Sequence, residues 1–353
     1  MAFQHPRRRS ILLATAAVSA AAAAPAAASE TQGGRRGPLV IGHRGAAGWR
    51  PEHTASAYTF AVRAGADWIE PDLVPTKDHV LVVRHENEIS GTTDVARHPG
   101  FAGRRATKTV DGRAVTGWFT EDFTLAELKT LRAVERLPLV RNRNTVFDGR
   151  EQIMTFQEVI DLARALSNES GRRIAVFPET KHPTYFRSIG LPLEPQLIRA
   201  VRRNRLTARD CVVQSFEPSS LREVAAARLG LPLWQALGTG GGPYGHPVTY
   251  EEMRTPAGLR EIASYARWIG PDKSSLAPPL TLLEDAHAAG LKVGAYTFRA
   301  ENRYLPAEYR KGTAPDDFGE AFAEYAFHFG RGVDAVVTDF PDLAAIARDA
   351  LRT

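Results

Sequence analysis

Short apolar runs alternate with amphipathic stretches from residue 39 almost to the end of the chain. The apolar runs predict strands over residues 39–43, 68–73, 80–85, 174–179, 211–215, 233–237, 268–270, 293–297 and 335–338. The amphipathic stretches predict helices over residues 54–64, 156–166, 195–204, 219–229, 258–266, 280–289, 318–327 and 343–351. Strands that alternate with helices in this way predict an α/β fold with a parallel sheet.

Nine predicted strands fit either a closed eight-stranded barrel or an open, doubly wound sheet. Two features favour the barrel: the units follow one another without a linker, and no dinucleotide-binding glycine fingerprint follows the first strand. We therefore expect a TIM (β/α)8 barrel with one of the nine strands outside it. Glycine and proline interrupt the pattern after the third strand, which predicts an insertion over about residues 87–153, folded over the C-terminal mouth.

The first 28 residues have the pattern of an export signal. Arg7, Arg8 and Arg9 precede an Ala-rich apolar segment that ends in small residues. The paired arginines resemble a twin-arginine signal, and an ordinary secretory signal is the alternative. We therefore expect a disordered lead-in at residues 29–37, a barrel domain at residues 38–353 and a secreted or extracytoplasmic location. The twin-arginine export machinery would be a partner during secretion.

Composition and charge narrow the class of partner. The chain has 45 basic and 40 acidic residues, and three of the basic ones lie in the leader, so the remainder has 42 against 40. A nearly neutral body without a basic tail argues against nucleic acid as a partner. No run of eighteen apolar residues follows the leader, so we expect no stable membrane insertion. The single cysteine excludes an internal disulfide framework.

Ionisable residues collect where four of the predicted strands end. The C-terminal ends of parallel barrel strands meet at one mouth, where barrel enzymes carry their active sites. The strand ends would bring together two histidines, three carboxylates and two cations: His43, His85, Glu70, Asp72, Glu179, Arg44 and Lys181. Each of these residues alone has an ordinary explanation as a turn or capping residue. Their occurrence at four strand ends argues for a functional site.

These residue types suit phosphodiester chemistry. Three carboxylates offer hard oxygen ligands that suit Ca²⁺ or Mg²⁺ and not zinc. Arginine and lysine neutralise a phosphate, and histidine titrates close enough to neutral pH to take or give a proton. A metal, two cations and two imidazoles together indicate phosphoryl transfer at a diester.

Seven motifs are spread over residues 38–353. They are His43-Arg44-Gly45 with Pro51-Glu52-His53-Thr54, Gly65-Ala66-Asp67-Trp68-Ile69-Glu70-Pro71-Asp72, Val82-Val83-Arg84-His85-Glu86, Pro178-Glu179-Thr180-Lys181, Gln214-Ser215-Phe216, Tyr296-Thr297-Phe298-Arg299 and Thr338-Asp339-Phe340-Pro341-Asp342. Together they resemble the motifs of the glycerophosphodiester phosphodiesterase family, in its secreted, periplasmic-type bacterial branch. Two positions depart from the family pattern: Glu86 replaces the usual Asp, and His53 replaces the common Asn.

The resemblance implies a metal-dependent phosphoric diester hydrolase. Its small-molecule substrates would be glycerophosphodiesters such as glycerophosphocholine, cleaved to sn-glycerol 3-phosphate and an alcohol through a cyclic phosphate. By the same resemblance, His43 and His85 are the general acid and base. Glu70, Asp72 and Glu179 hold the metal, Ca²⁺ with Mg²⁺ as the alternative, and Arg44 and Lys181 bind the phosphate.

Two other functions remain open at this point. An enzyme of the same fold would act on teichoic acid or a lysophospholipid, but the chain lacks an amphipathic helix with a basic face that would favour docking on a membrane. A non-catalytic extracellular phosphodiester-binding protein would keep the metal ligands without the histidines, and this chain has both.

Overall fold

The computed structural model describes residues 37–351. The predicted leader, and the lead-in up to residue 36, lie outside the described residues. The strands are β1 (Leu39–Gly42), β2 (Trp68–Ile69), β3 (Asp72–Pro75), β4 (Leu81–Val83), β5 (Ala106–Val110), β6 (Arg113–Gly117), β7 (Ala175–Val176), β8 (Glu179–Thr180), β9 (Val213–Ser215), β10 (Leu233–Leu237), β11 (Trp268–Pro271), β12 (Lys292–Phe298) and β13 (Ala335–Thr338).

Parallel pairing closes these strands into an eight-stranded barrel. The second barrel strand consists of β2 and β3, and the third consists of β7 and β8, each with a two-residue break. A proline, Pro71 or Pro178, lies in each break and cannot donate to the strand ladder. Pairing then runs in chain order from β1 to β13, and β13 pairs with β1. The expected TIM barrel is confirmed.

One of the nine predicted strands, the third along the chain, lies outside the eight-stranded barrel, as expected. It is β4, which pairs antiparallel with β3 as the second arm of a hairpin, with Leu73 opposite Val83. The prediction of residues 80–85 as one more parallel strand is therefore wrong in direction. An apolar run predicts a strand but carries no information about which way the neighbouring strand runs.

All eight predicted helices are present, with ends shifted by a few residues. They are α1 (Ala55–Arg63), α3 (Phe156–Ser170), α5 (Glu194–Asn204), α6 (Pro218–Ala226), α8 (Pro256–Ala263), α9 (Thr281–Ala288), α10 (Ala321–Gly330) and α11 (Pro341–Ala350). Three helices of four to six residues, too short for a periodic pattern, went unpredicted: α2 (Leu125–Leu128), α4 (Pro183–Ser188) and α7 (Tyr250–Met253). Within residues 37–351, no helix is long and apolar enough to cross a membrane.

Aromatic side chains fill the barrel below its mouth. The rings of Trp234 and Trp268 stack with centroids 4.9 Å apart, and Trp68 meets Trp268 edge-on at 5.8 Å. A Cβ atom on Gly270 or Gly294 would lie within about 2 Å of the Trp234 ring, so these two positions require glycine. Because the tryptophans come at or near the start of their strands, the opposite, C-terminal end of the barrel is left for polar residues.

The insertion packs onto that C-terminal end, as expected. It contains the β5–β6 hairpin and α2, and its buried Phe119, Phe123 and Leu131 belong to the main hydrophobic core. Two arginines of the insertion contact the barrel. Arg141 donates to the carbonyl oxygen of Ala47 at 2.8 Å, and Arg136 bonds to two glutamates at the mouth, which are described with the site below. The insertion is thus part of the barrel domain and forms one wall of its mouth.

Candidate active site

Three buried carboxylates converge at the barrel mouth. Glu70 lies in the break of the second barrel strand, Asp72 begins β3 and Glu179 begins β8, where Asp72 and Glu179 are register partners. One oxygen from each carboxylate lies within 4.8 Å of the others. The structure therefore brings together the three residues that the sequence predicted as metal ligands.

The charges around this triad suit a bound cation. Burial, together with the neighbouring Asp72, raises the pKa of both Glu70 and Glu179. The pKa of Asp72 lies well below its usual value, because Lys181 and a histidine bonded to it outweigh the effect of burial. Three carboxyl groups held this close in a buried site repel one another, and a hard divalent cation relieves that repulsion. The donor set, all carboxylate oxygens, fits calcium or magnesium.

His43 follows β1 and is held by a carboxylate that sequence reasoning did not select. Its Nδ1 bonds to Asp339, which is 1% exposed and follows β13. Burial and the Arg44 charge lower the pKa of His43 to about 4, although Asp339 acts in the opposite direction. A neutral imidazole with Nδ1–H on a carboxylate presents Nε2 as a proton acceptor. That Nε2 lies 3.8 Å from Oε2 of Glu70, and His43 lines the central cavity.

Asp339 is itself held by two arginines. Arg141 of the insertion donates to its Oδ2 at 2.6 Å, and Arg299 donates to the same oxygen at 2.8 Å. Burial would raise the pKa of Asp339, but these guanidinium groups and His43 hold it well below its usual value. A permanently charged carboxylate therefore faces His43.

His85 reaches the site through the antiparallel hairpin. The backbone N–H of Arg84 donates to the carbonyl oxygen of Asp72 at 3.0 Å, and this places the next residue beside the triad. The Nε2 of His85 accepts from Lys181 Nζ at 3.2 Å, so Nδ1 carries the proton and donates to Glu86. Burial and the charges of Arg44 and Lys181 lower its pKa to about 3. His85 therefore lies beside the carboxylate triad, as expected, although β4 is not a barrel strand.

The two departures from the family pattern both contact this machinery. Glu86 bonds to His85 and also accepts from Arg136 Nη2 at 2.6 Å, so the longer side chain still contacts the histidine. His53 is fully buried and lies between Asp72 Oδ2, at 3.0 Å, and the hydroxyl group of Tyr58, at 2.7 Å. It supports one of the triad carboxylates.

The two predicted phosphate-binding cations also lie beside the triad. The Nε of Arg44 is 3.3 Å from Asp72 Oδ2, its Nη1 donates to Glu52 at 2.8 Å, and its backbone has a left-handed φ of 53°. Glu52 also accepts two hydrogen bonds from Arg136. Lys181 Nζ donates to Glu179 Oε1 at 2.6 Å.

The sequence assigns no role to four further polar residues around the site. Asp339 bonds to His43 and Gln214 donates to Glu70, and both lie in motifs that carry the family resemblance. Arg136 and Arg141 come from the insertion, where no pattern in the sequence marks them.

Two cavities open at the triad. The central cavity, of about 800 Å³, is lined by His43, Arg44, Glu70, His85 and Glu179 and extends towards α10. The second, of about 450 Å³, shares Glu179 with it and also contains Lys181 and the β5–β6 hairpin of the insertion. The arrangement places acid–base groups, cations and a carboxylate cluster in a cavity large enough for a small ligand.

The fold and the site define a TIM-barrel enzyme with its carboxylates and histidines at the strand ends, where barrel enzymes carry their chemistry. The sequence pattern of the glycerophosphoryl diester phosphodiesterase family matches residues 43–343. The chain belongs to this family, so the expected family and enzyme class are confirmed.

Relatives match over most of their length. A glycerophosphodiester phosphodiesterase of Arabidopsis thaliana is 32% identical over 86% of this chain and 84% of the relative. One from Haemophilus influenzae is 26% identical over 86% of this chain and 88% of its own. Among solved structures, an Oleispira antarctica phosphodiesterase in complex with the product sn-glycerol-3-phosphate has a TM-score of 0.60 at 19% identity, covering 88% of this chain and 96% of that one.

Proposed function

We propose that this protein hydrolyses glycerophosphodiesters to sn-glycerol 3-phosphate and an alcohol, with Ca²⁺ bound by Glu70, Asp72 and Glu179. The observation that carries the proposal is the convergence of these carboxylates beside two neutral histidines, with His43, His85, Glu70 and Glu179 lining one cavity. The names of the relatives from Arabidopsis and Haemophilus support this reaction, and so does the product bound in the Oleispira structure.

The metal ion would be held by oxygen ligands alone. When bound, such a cation neutralises charge on phosphoryl oxygens. Calcium is the ion we propose, with magnesium as the alternative, because both prefer carboxylate ligands. Arg44 and Lys181 lie on either side of the triad, where they would share the negative charge of the phosphate.

The histidines have distinct surroundings and therefore distinct roles. His43, oriented by Asp339, presents Nε2 to take the proton from a glycerol hydroxyl as that oxygen attacks phosphorus. For His85 to protonate the leaving alcohol oxygen, its Nε2 must first take up a proton, since Nδ1–H faces Glu86. Lys181 Nζ, which donates to that Nε2, is the adjacent source of the proton that His85 then passes to the alcohol. The first step thus forms a cyclic phosphate and releases the alcohol. In the second step the roles reverse, and water opens the ring to glycerol 3-phosphate.

The export signal predicted at residues 1–28 gives the enzyme an extracytoplasmic place of action. We infer that it is secreted by the twin-arginine route, which would put it where glycerophosphodiesters reach the cell from outside. Fractionation of cells that express the full chain tests this. Replacement of Arg8 and Arg9, the pair that precedes Ser10-Ile11-Leu12, by lysine should retain the protein in the cytoplasm, and unchanged export would point to an ordinary secretory signal.

Release of glycerol 3-phosphate from glycerophosphocholine tests the reaction. His43→Ala and His85→Ala should each lower kcat by roughly 10²- to 10⁴-fold, because each removes a proton-transfer group. His287→Ala is the matched control, since that histidine lies on α9, is partly exposed and bonds to Asp334 just before β13, at the other end of the barrel. No release by the wild type, or turnover in both variants equal to that of the control, would contradict the proposal.

A further inference from the structure

The central cavity continues well beyond the carboxylate triad. Its far part, the α10 arm, is lined by Lys273, Tyr304, Glu324 and His328. Pockets for drug-sized ligands measure roughly 300 to 1,000 Å³, and this cavity of about 800 Å³ is near the upper end of that range. The cavity therefore has space for a substantial group in addition to the glycerol phosphate moiety.

Two buried polar atoms in the α10 arm lack a protein partner. Glu324 is 1% exposed and His328 is 5% exposed, and both line the cavity from the same face of α10, four residues apart. Glu324 Oε1 accepts from Lys273 Nζ at 2.6 Å. Over residues 37–351, nothing hydrogen-bonds to the other oxygen, Oε2, or to Nδ1 of His328. Buried polar atoms left without a partner cost about 1–3 kcal/mol each, so this pair is arranged for a ligand or for water.

The surroundings exclude two kinds of ligand group. A quaternary ammonium group would meet the Lys273 ammonium, which already occupies the carboxylate and lies 5.3 Å from the Phe298 ring. An alkyl chain would cover Glu324 and His328 without offering a hydrogen bond. A hydroxyl group both donates and accepts, so it can serve a carboxylate oxygen and an imidazole nitrogen alike. Burial lowers the pKa of His328 to about 4, so its ring is neutral near pH 7.

We propose that the α10 arm is the subsite for the leaving alcohol and that it selects a polyhydroxylated alcohol. This inference rests on the proposed function. The glycerol moiety must lie against the triad and His43 for its hydroxyl to attack phosphorus, so the other substituent of the diester extends into the remainder of the cavity. Lys273, Glu324 and His328 then bind its hydroxyl groups.

The second cavity offers the competing arrangement. Its walls include Asp111, Glu217 and the ring of Tyr250, a set that would suit a cationic headgroup. Asp111 is bonded to His182 at 2.6 Å and Glu217 to the backbone N–H of Thr184 at 3.1 Å. Among the described residues, Asp111 Oδ1 also lacks a hydrogen-bond partner, so the second cavity has one such atom against the two on Glu324 and His328. Because those two lie together on one face of α10, we favour the α10 arm, and a substrate panel separates the two.

The test compares kcat/KM for glycerophosphoinositol, glycerophosphoglycerol and glycerophosphocholine. The wild type should prefer the two polyol esters. His328→Leu, which removes the unpartnered nitrogen and keeps an apolar group beside Phe298, should lower the polyol-to-choline ratio roughly threefold to tenfold, the loss of one hydrogen bond. His328→Asn keeps a polar atom near the position of Nδ1 and should restore part of the ratio. Phe322→Leu, on the exposed face of the same helix, should leave it unchanged.

Three outcomes would overturn the inference, and they differ from one another. A preference for the choline ester would assign the alcohol to the second cavity. A ratio that His328→Leu does not change would remove the α10 arm from substrate recognition, and His328→Asn decides the matter if the leucine variant does not fold. Hydrolysis of none of the three esters would refute the proposed function itself.

Discussion

Replacement of Asp339 by asparagine tests how the barrel prepares His43. The carboxylate accepts from Nδ1 of His43 through one oxygen and from Arg141 and Arg299 through the other. An asparagine of the same shape must turn its oxygen towards the two guanidinium groups, because its NH₂ group cannot face them. That NH₂ group then donates to Nδ1, which moves the imidazole proton to Nε2 and removes the proton acceptor from the cavity.

The expected loss follows from two contributions. A hydrogen bond to a charged group is worth about 1.5–3 kcal/mol, which corresponds to roughly 10- to 150-fold in rate. The reversed tautomer adds to this, so we expect kcat to fall by roughly 10²- to 10⁴-fold, within the range of general acid–base catalysis. KM should change far less, because Asp339 does not line the central cavity. It is a positioning residue and not a catalytic one.

Steady-state release of glycerol 3-phosphate measures kcat and KM, and circular dichroism shows that the variant is folded at the assay temperature. Asp342→Asn is the matched control, since that carboxylate lies three residues further on and accepts from Trp49 Nε1 at 3.0 Å. A folded Asp339→Asn variant with kcat within twofold of the control would refute the assignment of His43 as a base prepared by Asp339.

Three further substitutions test neighbouring residues. Arg44→Lys should lower kcat/KM at least about tenfold, because an ammonium group lacks the planar fork of a guanidinium; unchanged kinetics would give Arg44 a structural role. Arg136→Met should lower kcat more than it raises KM, because it leaves Glu52 and Glu86 without their shared cation; a pure KM effect would argue against support of His85. Glu217→Gln tests how the free energy of unfolding depends on pH. Burial raises the pKa of Glu217 to about 7, so the folded protein holds this proton up to a higher pH than the unfolded chain does. As pH rises from about 4.5 to 7, the wild type therefore loses about 3 kcal/mol of stability from this group. The glutamine variant should therefore gain in unfolding temperature over the wild type between pH 5 and pH 8, and an equal response of both proteins would contradict this.

The central features of the fold and site follow from local signals in the sequence. The barrel strands are short apolar runs, and Glu70, Asp72 and Glu179 come where those runs stop, so parallel packing was enough to predict their convergence. His85 shows the limit of that reasoning. The apolar run before it predicts a parallel strand that ends at the mouth, but His85 reaches the mouth on an antiparallel hairpin, and an apolar run does not encode strand direction.

The residues that the sequence left unassigned act through distant partners. Asp339 meets His43 across 296 positions, and Arg141 reaches Asp339 across 198. Arg136 pairs with Glu52 across 84 positions from an insertion that has no periodic pattern. Such contacts depend on how loops pack over the mouth, so residue type and spacing alone do not mark these side chains as part of the site.

Calcium binding to the chelator-treated protein tests the central claim most directly. Calorimetry measures the binding, and release of glycerol 3-phosphate measures activity at each point of the same titration. The account predicts one ion per chain, activity that returns as the ion binds, and loss of both in Asp72→Asn, whose fold circular dichroism should show intact. Full turnover in excess EGTA, or calcium binding that Asp72→Asn leaves unchanged, would contradict a metal site formed by Glu70, Asp72 and Glu179.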